Sequence, residues 1–366
     1  MKGLRKIKKS LELNKEIFKV KEQKVNHSAV PYPKTGQFRN AIQNVKAKYT
    51  FKGLDEQNKA IYDPSVLLPV VPYIATVKVH GTNASLVMFK DQTIYCQSKE
   101  RTLAFGCDNA GFWEAMQCVD KENLFHYVKT IFSHHNPEKE ILYPIVIAGE
   151  WFGKGIQKGV AVSELPKTFM IFGVKFGEEW QPMLQYKNLS DHKSNIHNAL
   201  DFDHWFLDID FNNPQDIQNK IIKLTHQVEA ECPVGKHFGV SGIGEGIVLK
   251  PLDGELSSNS GYFFKSKGEK HSSSKVKKLA SVDTEKLNSI KEFVEYSVTE
   301  SRLEQAVTEV GLDVKLMGSF IKWIMQDIFK EESDTMKDNG IELKEIGKPV
   351  SDIARRFYLN KINSQF

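Results

Sequence analysis

Cysteine is scarce in this chain: four in 366 residues, Cys96, Cys107, Cys118 and Cys232, with no two in a CxxC pair. That spacing offers neither a thiolate zinc site nor a disulfide framework, and a reducing, cytoplasmic compartment is expected. Long apolar runs are missing too. The longest, VLLPVVPYIATV, is interrupted by Pro69 and Pro72 and falls well short of the roughly 20 residues that cross a bilayer. No membrane partner is expected. The basic N-terminal stretch has no apolar segment ending in a small-residue cleavage site, so it does not read as a signal peptide. Neither sign of charge is in large excess: 50 Lys and Arg against 46 Asp and Glu give +4. This balance permits a polyanionic partner without requiring one. With 40% hydrophobic and 26% charged residues, a mainly disordered or fibrous chain is excluded.

What is present falls into three parts. Residues 1–30 form a lysine-rich arm, read either as solvated chain or as a segment that touches phosphates. Residues 31–275 mix the β-rich runs IATVKV, ASLVMF, TIYCQS, YPIVIAGEW, TFMIFGVKF, GIVLKPL and GYFFKSK with two helical stretches, AGFWEAMQCVDKENLFHYVKTIF and PQDIQNKIIKLTHQVEAE. Strands and helices do not alternate strictly, which favours an α+β fold with largely antiparallel sheets and flanking helices. After the polar bridge KGEKHSSSKVKK, residues 280–366 read as a small all-helical domain. Asp283 or Thr284 offers an N-cap ahead of Leu287, Ile290, Phe293 and Val294; Leu303, Ala306, Val307 and Val310 form a second helix that Gly311 can end. A third apolar face runs from Leu316 to Ile328, and VSDIARRFYLNKI supplies a fourth helix.

One lysine is out of place. In KVHGTN, Lys78 sits between two apolar runs that read as buried strands. A strand lysine must reach water, find a counter-ion or lose its proton, because an unpaired buried ammonium is costly. If it is a nucleophile, its pKa must fall from about 10.4. Glu150 follows an apolar strand in IVIAGEWFGKGIQKGV, Glu245 lies between two glycines in GIGEGIVLKP, and Lys265 and Lys267 share one face of GYFFKSKGEK. The glycines of GKGIQKG lack the Walker pattern. Two acids and three lysines are nonetheless the parts needed to hold a triphosphate and a metal beside an amine.

In order and spacing, KVHGTN, GEWFGKGIQKGV, KTFMIFGVKF, GEGIVLKP and FFKSKGEKHS resemble the motifs of covalent nucleotidyltransferases, and among these the RNA ligase 2 family. The histidine of KVHGTN, where DNA ligases and capping enzymes usually carry aspartate, and the Gly-Ile-Gln-Lys run are similar to that branch. The resemblance implies an ATP-grasp-like nucleotidyltransferase domain followed by a helical one. It implies Lys78 as the nucleophile that takes AMP from ATP, with Lys265 and Lys267 at the α-phosphate. Val77, Asn83 and Arg101 would line the nucleotide site, Glu150 would hold the ribose, Phe172 would stack on adenine, and Glu245 would support a metal. His80 and Thr82 would shape the turn. Gly173 follows Phe172 where relatives often carry aspartate, and Phe169 is the other aromatic candidate on the same run. The implied cofactors are ATP and Mg²⁺, with Mn²⁺ as a substitute; the implied partner is RNA, at nicks in duplex RNA or RNA:DNA hybrid, bound by a monomer.

Two alternatives stand beside this one. A DNA ligase or capping-type guanylyltransferase would usually append an OB-fold where this chain reads as helix. An idle RNA-binding protein would have no evident reason to keep three lysines and two acids at these positions.

Overall fold

The computed structural model describes residues 27–252, 254–271, 290–338 and 340–363. Most of the basic arm, much of the polar bridge, and the positions Asp283, Thr284 and Leu287 lie outside the described residues. Helices of eight or more residues are α1 Phe38–Thr50, α2 Lys121–His135, α3 Pro214–Ala230, α4 Ile290–Ser297, α5 Glu300–Val310, α6 Met317–Asp338 and α7 Leu343–Asn363. Strands are β1 Phe51–Leu54, β2 Ala60–Tyr62, β3 Val70–Lys78, β4 Thr82–Met88, β5 Ile94–Ser98, β6 Ile145–Phe152, β7 Thr168–Phe176, β8 Glu179–Trp180, β9 Ile196–Asn198, β10 His204–Asp210, β11 Gly246–Pro251 and β12 Phe264–Lys267.

The protein is α+β, with two larger sheets and a two-stranded ribbon, β1-β2. One sheet has the order β10-β3-β11-β12, antiparallel throughout. The other runs β5-β4-β6-β7-β8, also antiparallel, and the short β9 adds to β7 in parallel. Because β3 leads through a three-residue turn into β4, the chain passes from the first sheet to the second directly after Lys78. Gly81 in that turn faces the carbonyl oxygen of Trp151, where an added Cβ would stand 2.4 Å away, so the two sheets approach as closely as they do only with glycine here.

Each sheet buries one face against helices. Phe38, Ala41, Ile42 and Val45 recur at helical spacing on α1 and pack with Ile74, Ile247, Phe264 and, from α3, Ile221, Leu224 and Val228. On the second sheet Leu86, Ile147 and Val174 pack with Leu124, Phe125, Val128 and Phe132 of α2. The expected long helix over residues 110–132 is broken. A short turn of helix, Phe112–Ala115, and a 3₁₀ segment, Met116–Cys118, precede α2, which starts afresh where the Asp120 side chain accepts from the Asn123 N–H at 3.0 Å.

Helices α4–α7 share an apolar cluster of their own, in which Phe320, Ile324 and Ile328 of α6 are fully buried. Each such side chain contributes about 1.5–3 kcal/mol by leaving water. The last helix starts at Leu343, ahead of VSDIARRFYLNKI, and carries Pro349 inside it. This region is tied back to α1: Arg39 donates to Tyr296 Oη at 3.0 Å and to Glu332 at 3.1 Å. Among the described residues no helix is long and apolar enough to cross a membrane, and the four cysteines are free thiols.

Candidate active site

Three adjacent strands set out the cations. Gly246, first residue of β11, pairs with Lys78 at the end of β3 on one side and with Lys267 at the end of β12 on the other. Its φ of +149° suits glycine, and a Cβ would stand 2.1 Å from the Ser266 carbonyl oxygen. Glu245, one residue earlier, therefore meets both lysines. Lys78 Nζ donates to its Oε2 at 2.7 Å, and Lys267 Nζ lies 3.0 Å from its Oε1. Two residues further along the strands, Thr76, Val248 and Lys265 form a row on the same face. Strand periodicity of two puts Lys265 on the same face as Lys267.

The second sheet supplies the facing wall. Asn83, Glu150 and Met170 are cross-strand neighbours on β4, β6 and β7. Gly149 pairs with Ile171 and Ala148 with Gly173, so Phe172 is the extra residue of a β-bulge. A bulge re-aims a side chain that regular pleating would place otherwise. Phe172 lines the pocket, with Tyr32 edge-on at 5.3 Å, whereas Phe169 is fully buried against Phe112. Of the two aromatic candidates, Phe172 is the one that meets the pocket. Gly173 leaves room for the Trp180 ring, which an added Cβ would meet at 2.9 Å.

Between the walls lies a pocket of about 900 Å³, its mouth included, lined by Lys78, Asn83, Glu150, Phe172, Lys250 and Lys265 among others. Asn83 donates weakly to the Gly149 carbonyl at 3.4 Å, and its Oδ1 is buried with no partner in the described structure. A buried orphan acceptor on a pocket wall is a place for a ligand donor.

Charges here are strongly perturbed. Burial disfavours the Lys78 ammonium, but Glu245 and Glu150 outweigh it and hold its pKa above the ordinary lysine value. Burial likewise pushes against ionised Glu245, and the charges of Lys78 and Lys267 overcome it, keeping that carboxyl well below the usual range. Glu150 is pushed up to about 7 by burial, with Lys78 opposing and Glu245 reinforcing the shift. Lys265 falls to about 8, mainly through burial against the pull of Glu331. Lys250 falls to about 7 by burial alone; its ammonium donates to the Phe172 carbonyl at 2.7 Å and stands 5.0 Å from the Phe172 and Phe263 ring centres. Burial depresses His80 to about 4, so the imidazole 3.7 Å from Glu245 is neutral.

Residues 71–267, more than half of the chain, match the profile of the RNA ligase family. The chain belongs to the RNA ligase family. No curated protein matches it by sequence. Among solved structures it is similar to an RNA ligase of Naegleria gruberi with pyrophosphate, at 15% identity and a TM-score of 0.40 over 65% of this chain and 56% of that one. It is also similar to variants of the same ligase with ATP and Mn, at 16% and 18% identity and a TM-score of 0.40. The chain thus spans about half the length of these solved relatives.

In this RNA ligase family member Lys78, Val77, Asn83, Glu150, Phe172 and Lys265 all line one pocket, while Glu245 and Lys267 stand at its Lys78 end. Arg101 is not among them: it is exposed and donates to the Asp108 carbonyl at 3.0 Å. Sequence reading missed Tyr32, Lys99, Lys250, Lys330 and Glu331, which also line the pocket. Lys250 had a signal, since it lies two residues beyond Val248 on the same face of β11. Glu331, 3.4 Å from Lys265, had none, because α6 is brought there by tertiary packing.

Proposed function

We propose that this chain is an ATP-dependent RNA ligase that works through a Lys78-AMP intermediate, in the manner of the RNA ligase 2 branch. The observation that carries the proposal is the convergence of Lys78, Lys265 and Glu150 on one pocket, with Glu245 bridging Lys78 and Lys267. In the first step the Lys78 amine, after losing its proton, attacks the α-phosphorus of ATP; a P–N bond forms, the bond to pyrophosphate breaks, and pyrophosphate leaves. AMP then passes to the 5′-phosphate of RNA, and a 3′-hydroxyl displaces it to form the phosphodiester. Lys265 and Lys267 offset negative charge as it develops on the phosphate oxygens. Phe172 offers a face for adenine, and Glu150 accepts from the ribose hydroxyls.

The donor set suits Mg²⁺, or Mn²⁺, delivered with the triphosphate, because such an ion commonly uses only one or two carboxylates beside phosphate oxygens and water. Glu150 lines the pocket, and Glu245 has both oxygens engaged by lysines until Lys78 gives up its charge. The ion would supply charge neutralisation at the phosphates.

We further assign as substrate a nick in duplex RNA or RNA:DNA hybrid, whose A-form groove and 2′-hydroxyls distinguish it from DNA. Helices α4–α7, with the exposed Arg355 and Arg356, would grip the duplex, and the ligase would act as a monomer. The test is incubation with a divalent ion and α-labelled ATP or GTP, followed by peptide mapping of label on the denatured chain. ATP label on Lys78, lost in Lys78→Ala, is expected. Label from GTP alone would favour a capping-type enzyme, and no label from AMP-free protein would favour an idle RNA binder. Removal of residues 280–366 should spare labelling but impair sealing of a nicked RNA duplex.

A further inference from the structure

Away from the pocket, two histidines and an aspartate converge where the chain makes three short elements in succession. His192 opens a 3₁₀ turn, His192–Ser194; Asn195, at φ +55°, reverses the chain into β9; and Asp201 ends a second 3₁₀ turn, Ala199–Asp201. Asp201 Oδ2 is fixed by the Asn198 N–H at 2.8 Å and lies 3.1 Å from His192 Nε2 and 3.8 Å from His197 Nδ1. One donor atom from each of the three side chains falls within 4.8 Å of the others. His197 is 7% exposed, and its Nδ1, aimed at this centre, is buried with no hydrogen-bond partner in the described structure. Phe202 and Phe238 pack near its ring, at centroid distances of 5.8 and 5.2 Å, while His192 is exposed.

We infer that His192, His197 and Asp201 form a binding site for a divalent transition ion of the zinc class, separate from the nucleotide pocket. Two imidazole nitrogens and one carboxylate oxygen are a borderline donor set, which suits Zn²⁺ or Co²⁺; Mg²⁺ and Ca²⁺ require more oxygens. A four-coordinate ion at about 2.0–2.2 Å from each ligand separates ligand atoms by about 3.3 Å, between the two distances measured from Asp201. Water would take the fourth position. The His192 and His197 rings are nearly parallel, 15° apart at 4.7 Å, so their in-plane lone pairs do not meet at one point. Loading therefore includes a rotation of the exposed His192 ring. His197 pairs with Met170 across β9 and β7, directly behind the pocket wall. An ion here would tie the irregular stretch around β9 to itself in a chain whose cysteines are all free.

The test uses the full chain, freed of any affinity tag and treated with chelator, titrated with Co²⁺ in the absence of nucleotide. One equivalent of Co²⁺ should give the intense visible absorption of a four-coordinate site, displaced by Zn²⁺ and untouched by excess Mg²⁺. Loss of the outer hydrogen-bond partner of a ligand already costs about 10–100-fold in metal affinity, so His192→Ala and Asp201→Asn should each weaken binding at least tenfold. Asp201→Asn keeps an acceptor for the Asn198 N–H, and matched thermal melts of the metal-free proteins establish that both variants are folded. Absence of the visible band, or its persistence at unchanged affinity in both variants, would overturn the inference and leave a hydrogen-bonded cluster with water on His197.

Discussion

Lys78 and Glu245 form a 2.7 Å ion pair at the pocket's edge, and through it the proposed nucleophile is held protonated. Only the neutral amine can attack phosphorus, and the raised pKa makes that form scarce near neutrality. Label incorporation by the free enzyme should therefore rise with pH, approaching tenfold per unit across the range from about 6 to 9. In Glu245→Gln the counter-charge is lost while burial and the neighbouring Lys267 remain, so the rise should move to lower pH. The same change leaves buried ammonium groups unpaired and should cost about 3–5 kcal/mol of stability, seen as a lower melting temperature. A rate independent of pH in wild type would contradict this account of Lys78.

Glu150 should give a separate signature in stability. Its carboxyl titrates at about 7 in the folded protein against 4.5 ordinarily, so the folded state binds that proton more tightly than the unfolded chain. The contribution is fully present below about 4.5 and is lost as pH rises through about 7. Glu150→Gln removes the titration. Relative to the variant, wild type should lose on the order of 3 kcal/mol over this window, measured by thermal or urea melts at successive pH values.

At Phe172, replacement by alanine should weaken ATP more than it slows chemistry. Stacking of a base on an aromatic ring is worth about 1–3 kcal/mol, so the KM for ATP in self-adenylylation should rise roughly 5- to 150-fold. Phe172→Tyr should retain most of the affinity. Equal ATP dependence in Phe172→Ala and wild type would remove Phe172 from the nucleotide site.

Glu331 lies 3.4 Å from Lys265, where it would compete with a bound phosphate for the ammonium. Glu331→Gln frees the ammonium, and its pKa, already near 8, falls further without the carboxylate. Below about pH 7, where Lys265 stays charged, ATP should bind more tightly by up to about fivefold, since a partly exposed pair is worth about 1 kcal/mol. A mildly alkaline titration should shrink that gain as Lys265 loses its proton. Unchanged affinity at both pH values would mean that Glu331 does not compete with the triphosphate.

Much of the site was legible because it rests on strand arithmetic. Lys78, Glu245, Lys265 and Lys267 stand at strand ends in apolar surroundings, where a charge is conspicuous, and the period of two places Lys265 and Lys267 together. Other parts could not be read. The bulge that turns Phe172 to the pocket depends on the pairing of β6 with β7, which no single strand reveals. Strand β10, HWFLDID, is hard to read because apolar and charged residues alternate only over its last four positions, Leu207 to Asp210, too short a run to stand out. The break before α2 is hidden because helical periodicity continues across Cys118 and Val119, and Asp120 alone marks the restart. In the helical region the apolar spacing was plain, but the position of Glu331 over Lys265 depends on the Arg39–Glu332 and Arg39–Tyr296 contacts, which link residues far apart in the chain.

The pocket's lining runs from Tyr32 to Glu331. During translation at about 5–20 residues per second, roughly 15–60 s separate the appearance of the first of these residues from that of the last. Strand β12, with Lys265 and Lys267, is synthesised ahead of α6. A ribosome-bound chain that stops short of Glu331 thus carries Lys78, Glu150 and Lys265 without the carboxylate that faces Lys265 from α6.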